Sequence, residues 1–170
     1  KLEERILSER EKRIIETYKK RISAPMSDVE KRLLAMRGVL CNSTRNIHEL
    51  IRDTSVIHLR NAIIDTRLIR NGGQKLEVPS AFRASADTTH YIVQFATPPS
   101  TAQQEYLEKL GITIEHYLPH YAYAVSIPKE KKRLLEILPD VTFVEPFHPY
   151  FKMSEEVQAH LLGYADEKQE

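Results

Sequence analysis

The residues that could do chemistry in this chain are few, and their spacing argues for binding rather than turnover. A serine hydrolase needs a nucleophile, a base and an orienting acid in one constellation. No G-x-S-x-G elbow is present, and the serines fall in helix caps and loops. His116 and His120 are four apart on an expected strand. That spacing puts both on one face but about 13 Å apart along the rise, too far to share one metal. They read as exposed strand histidines, and His148, between prolines and aromatics, reads as solvent-exposed. The one cysteine, Cys41, and the seven histidines make no cluster of zinc spacing, so neither metal nor cofactor is expected. Asn42-Ser43-Thr44 matches a glycosylation sequon. Lys129, Lys131, Lys132 and Arg133 form a basic run that reads as a solvated helix face, although it lies at the helix end that the macrodipole disfavours. Nucleic-acid binding would need a wider basic stripe with exposed aromatics.

Composition is that of an ordinary globular protein with one good core: 170 residues, 41% hydrophobic, 29% charged, net charge +1. A balance this even excludes strong attraction of the whole chain to nucleic acid or acidic membranes. No apolar run is long enough to span a bilayer. The chain opens on Lys1 and shows no signal-peptide core, so loss of the true start is expected. A lone cysteine makes no internal disulfide and leaves the compartment open.

Hydropathy patterning places the elements. Residues 91–95 alternate like a half-buried strand. Residues 100–110 set Ala102, Tyr106, Leu107 and Leu110 on one helical face, and Gly111 stops the helix. Residues 112–120 and 122–128 read as two strands joined at Pro119-His120-Tyr121. Residues 129–138 read as a second helix and 141–147 as the last strand. The order is β-α-β-β-α-β, the split βαβ arrangement.

The first part is different in character. Residues 1–60 hold 14 Lys/Arg against 9 Asp/Glu, whereas residues 87–153 hold 6 against 8. Leu2, Ile6, Ile14, Tyr18 and Ile22 recur at helical spacing before Pro25. Ser27-Asp28-Val29-Glu30 is a capping box opening a second helix through Val29, Leu33, Leu34 and Met36. Gly38 and residues 41–44 weaken its middle before Ile47, Leu50 and Ile51 resume the stripe. An antiparallel helical hairpin is expected, joined at residues 24–27. Asn71-Gly72-Gly73-Gln74 is a turn, and residues 78–87 a loose connection.

The expected fold class is α+β. A helical hairpin (1–58) and a connecting segment (59–86) precede a ferredoxin-like βαββαβ module with an antiparallel sheet (87–153) and a C-terminal helix or linker (154–170). In such a module two helices cover one sheet face. The other is open to a partner unless the N-terminal helices lie on it.

Several phrases, in order, resemble the N-terminal propeptides of subtilisin-like serine proteases. They are Tyr91-Ile92-Val93-Gln94-Phe95, Leu110-Gly111, Ala122-Tyr123-Ala124-Val125 and the run Leu138-Pro139-Asp140-Val141-Thr142-Phe143-Val144-Glu145. The stretch 59–66 is similar to the prelude in larger bacterial members, so the resemblance spans residues 59–153. It implies a folding assistant and active-site inhibitor of a protease domain in cis, with the catalytic domain beyond Glu170, in an extracytoplasmic or secreted setting. It also implies roles for particular residues. Tyr91, Val93, Phe95 and Tyr123 would dock the sheet on the protease, and Tyr150, Phe151, Lys152 and Met153 would lie in the cleft as an added strand. Cleavage would fall between Met153 and Ser154. Pro146 and Pro149 depart from that pattern, because each removes an amide donor from the tail. A stand-alone protease inhibitor and a ferredoxin-like protein-interaction module are the alternative readings.

Overall fold

Two capping boxes set the N-terminal helices. The computed structural model describes residues 8–161. In α1 (Glu9–Ser23) the Ser8 hydroxyl accepts from the Glu11 amide at 3.2 Å, and the Glu11 carboxylate accepts from the Ser8 amide at 2.9 Å. α2 (Asp28–Met36) repeats the device with Ser27 and Glu30 at 3.2 and 3.1 Å, as the sequence indicates. The stripe residues Leu2 and Ile6 lie outside the described residues, as does the side chain of Ile22.

The second helix does not run through to Ile51. Gly38 takes φ 72°, the Val39 amide donates to Leu34 O and the Gly38 amide to Ala35 O, so a Schellman cap ends α2. The chain continues as strand β1 (Leu40–Cys41) and restarts as α3 (Ile47–Arg52) under an Asn46 cap. α1 packs on α3.

A first sheet forms where a helical hairpin (1–58) and the start of a connecting segment (59–86) are expected. β2 (Val56–Leu59) and β3 (Ala62–Asp65) pair antiparallel around Arg60-Asn61, and β1 joins β3 in parallel, giving the order β1-β3-β2. Short 3-10 turns follow at Thr66–Leu68, Arg70–Gly72 and Ser80–Phe82.

The second sheet is built from residues 90–146. β4 (His90–Phe95), α4 (Thr101–Lys109), β5 (Thr113–Leu118), β6 (Ala122–Ser126), α5 (Lys132–Ile137) and β7 (Val141–Pro146) succeed one another, and the four strands pair antiparallel in the order β5-β6-β4-β7. The Ser100 hydroxyl caps α4. Gly111 at φ 83° ends it, with the Ile112 amide on Leu107 O. Tyr106, placed by periodicity on the buried face, is half exposed.

The edge strand β5 of this sheet is mostly exposed, while its two central strands, β4 and β6, are buried on both faces. On one, Tyr91, Val93, Phe95, Tyr123 and Val125 pack under Leu107 of α4 and Leu135 and Leu138 beside α5. On the other, Ile92, Ala122 and Phe143 meet Ile57, Ala62 and Ile64 of the first sheet, together with Leu76, Val78, Tyr150 and Phe151. Each fully buried isoleucine contributes about 2 kcal/mol through removal of apolar area from water, so the second interface is a core and not a loose contact. After β7 the tail forms a 3-10 turn, Pro149–Lys152, and then α6 (Glu155–Leu161). Residues 162–170 of the expected C-terminal helix or linker lie outside the described residues.

Candidate functional site

The tail and the surface it sits on are the part of the molecule where the resemblance predicts function. Asn61, in the β2–β3 turn and 1% exposed, holds the tail from below. Its Nδ2 donates to Phe151 O at 3.0 Å, Met153 O at 3.4 Å and Tyr150 O at 3.5 Å. From α6, Gln158 Nε2 donates to Tyr150 O at 2.6 Å. His148 anchors the root: its Nδ1 accepts from the Ala84 amide at 2.9 Å and its Nε2–H donates to Glu145 at 2.7 Å. Tyr150 is fully buried and Phe151 is 7% exposed.

Some buried atoms of this seat have no partner among the described residues: Asn61 Oδ1, Gln158 Oε1 and Tyr150 Oη. A buried polar group left unpaired costs about 1–3 kcal/mol. That cost offsets part of what the two aromatic rings gain by burial and makes the seat weaker than its apolar contacts alone suggest.

A polar seam joins the seat to the second sheet. Gln94, fully buried on β4, accepts from Thr66 Oγ1 at 2.9 Å and donates to Thr54 O and His120 O at 3.2 Å each. His120 and Tyr121 hold φ 66° and 62° in the β5–β6 turn, and the His120 Nδ1–H reaches Val56 O at 2.7 Å. Next to this, Arg45 bridges Asp53 at 2.9 Å and the buried Asp65 at 3.1 Å, and Arg67 closes on Asp53. Burial pushes the Asp53 carboxyl up, but hydrogen bonds from Ser55 and Arg45 and the charge of Arg67 outweigh it and hold it at about 2. Burial pushes the His58 imidazole below its ordinary range, and His120 adds to that against the opposing Leu50 carbonyl.

Both shifts make the chain acid-labile. A histidine whose folded value is depressed binds fewer protons in the native state, so stability falls as pH drops below about 6.5. Asp53 contributes stability above its unfolded value of about 3.9 that is lost as pH falls towards 2. Denaturation midpoints measured from pH 8 down to 2 are therefore expected to decline in two stages, the first abolished by His58→Gln. A flat profile between about pH 7 and 5 would contradict the His58 assignment.

The predicted site residues fall out differently from expectation. Tyr91, Val93, Phe95 and Tyr123 do not form an open docking face: their exposures are 2, 1, 3 and 0%. Strand alternation turns them towards α4 and α5, and the opposite face is taken by the first sheet and the tail rather than by the N-terminal helices. The tail is not an extended strand either. The Phe151 amide bonds His148 O and the Met153 amide bonds Tyr150 O, which closes a helical turn and removes those donors from any cleft. Lys152 is exposed with its Nζ 5.2 Å from the Phe147 ring centre, Met153 is half-buried, and Ser154 is exposed. His148 is buried, not solvent-exposed. His116 stays on the β5 surface, whereas His120 stacks edge-on to His58 at 5.1 Å, so the two predicted strand histidines do not meet. The sequon asparagine, Asn42, spends its side chain on the Asp65 backbone and Gln74.

The basic run acquires a physical reason. Lys131 Nζ donates to Leu110 O at the C-terminal end of α4, where the helix dipole is negative. Lys129 pairs with Asp87, and Lys132 lies over the Tyr91 ring at 5.7 Å. Sequence reasoning missed Asn61, Gln94 and Gln158. Gln94, an amide inside an otherwise apolar strand, was the one visible signal.

A family model described as a domain of unknown function, DUF8729, matches residues 58–148, just over half of the chain. The chain belongs to this family. The DUF8729 stretch opens at His58 and closes at His148, so it takes in β3, the Asn61 turn, Gln94 and the whole second sheet. The helices α1 to α3 and the residues Tyr150 to Met153 lie outside it. No curated protein and no solved structure matches the chain. Among the described residues no helix is long and apolar enough to cross a membrane.

Proposed function

We propose that this chain is a propeptide-type module that binds a subtilisin-like protease domain of its own polypeptide, assists its folding and restrains its activity. The observation that carries the reading is the element order β4-α4-β5-β6-α5-β7 with strands arranged β5-β6-β4-β7, the ferredoxin-like arrangement implied by the resemblance, on the very residues that carry it. A module that binds the folded protease and not the unfolded chain favours folding by mass action. In this reading the N-terminal helices are accessory to the module.

Burial of the tail changes how restraint would work. Entry of Tyr150 to Met153 into a cleft requires release from Asn61 and Gln158, so inhibition by the isolated chain is expected to be slow in onset. Asn61→Ala removes the donor shared by three tail carbonyls, and inhibition by that variant should set in faster, by about fivefold or more for each kcal/mol of clamp removed. Progress curves of the protease domain with the wild-type chain and with Asn61→Ala test this. Equal onset rates, or no inhibition by either, would count against the tail as the inhibitory element. The burial of β4 and β6 on both faces favours one second reading, a protein-interaction module of ferredoxin-like type that acts on no protease.

A further inference from the structure

Helix α1 carries a face that the described chain leaves uncovered. Arg10, Arg13, Ile14, Thr17 and Tyr18 fall on one side of the helix at spacings of three and four and line a shallow groove of about 390 Å³. Ile14 is 59% and Tyr18 61% exposed. Arg10 and Arg13 are exposed and make no ion pair among the described residues, while Glu9 pairs with Lys12 at 3.4 Å and Glu11 caps Ser8. Residues 9–23 hold six Lys/Arg against three Asp/Glu. Arginine and tyrosine beside an apolar residue are the side chains that anchor protein interfaces, and a guanidinium fork matches a carboxylate in geometry as well as charge.

The charge pattern selects among occupants. A second copy fits poorly. Antiparallel pairing with Ile14 opposite Tyr18 sets Arg13 against Lys19 and Lys12 against Lys20, and parallel pairing sets each arginine against itself. An anionic lipid surface is a poorer fit, because the two bulky apolar side chains that line the groove, Ile14 and Tyr18, fall short of the broad apolar face an interfacial helix uses.

We propose that α1 docks an acidic amphipathic segment of a partner protein, with its apolar residues on Ile14 and Tyr18 and its carboxylates on Arg10 and Arg13. The site is separate from the tail and does not depend on the protease reading.

The probe is a helical peptide of about 18 residues with leucines four apart flanked by glutamates, and its glutamate-to-lysine twin. The wild-type chain is expected to bind the acidic peptide and not the basic one. Arg10→Glu with Arg13→Glu should weaken binding at least about tenfold, and Arg10→Lys with Arg13→Lys should weaken it less. Both pairs lie on exposed positions, so circular dichroism should be unchanged. Equal binding of the two peptides would overturn the proposal. So would indifference to charge reversal, self-association abolished by the same substitutions, or binding to phosphatidylserine vesicles in place of the peptide.

Discussion

Replacing Tyr150 by alanine is expected to lower stability by about 3–5 kcal/mol, the cost of deleting a large side chain from a core that collapses only partly around the gap. Tyr150 is fully buried, and its ring shares a cluster with Ile57, Ile64, Ile92 and Phe143, which belong to four different strands. The loss should appear in urea denaturation of the full chain as a lower midpoint at unchanged slope. Tyr150→Phe supplies the contrast. The phenolic oxygen has no partner among the described residues, so its removal should cost less than about 1 kcal/mol or stabilise the chain. If both substitutions prove neutral, the tail is not part of the core and the seat built by Asn61 does not exist in solution. If both prove equally severe, the hydroxyl has a partner that the structure does not give it.

The second large effect is expected at Gln94. Leucine there keeps the volume roughly but leaves Thr54 O and His120 O without their donor, and takes one acceptor from Arg70 and from the Thr66 hydroxyl, which keeps Ser55 O at 2.6 Å. Unpaired buried groups at about 1–3 kcal/mol each, partly relieved by relaxation, put the loss at about 2–4 kcal/mol. Gln94 is also where the two sheets are tied to one another, through Thr66 on one side and the strained His120 turn on the other. Amide exchange in β2 and β3 should therefore accelerate relative to β4 and β6 in Gln94→Leu. Uniform acceleration across both sheets would mean that the seam carries no special coupling.

These two residues also mark what was and was not legible in the sequence. The second sheet was legible almost to its ends, because alternation in β4 and β6 and the glycine stop at Gly111 are local signals. The first sheet was not. β1 is two residues long and β2 and β3 four each, too short for periodicity to separate from a connecting segment. They exist because they bury Ile57 and Ile64 on the far face of the other sheet, a tertiary cause with no local trace. The same packing decided the site. Alternation alone left two assignments of the open face, and the choice of Tyr91, Val93, Phe95 and Tyr123 picked the set that the helices cover. The extended tail was what the resemblance implied, and Pro146 and Pro149 were the local signals against it. The 3-10 turn forms only because Tyr150 and Phe151 find a pocket and Asn61 finds their carbonyls.

That packing bears directly on mechanism. A short propeptide-type module presents one bare sheet face and a free tail to its protease. In this chain the first sheet occupies that face and the tail is folded back, so any engagement starts from a module whose face and tail are already packed. Binding then has to repay the release of the tail, or use the outer surfaces of the helices.

Refolding tests the central claim most directly. A denatured subtilisin-like domain of the same polypeptide is diluted into buffer with and without this chain, and recovered protease activity is followed after the chain is removed. Yield should be substantially higher with the chain present and should saturate near one chain per domain. A yield unchanged by the chain would contradict the propeptide reading and leave the interaction-module reading in its place.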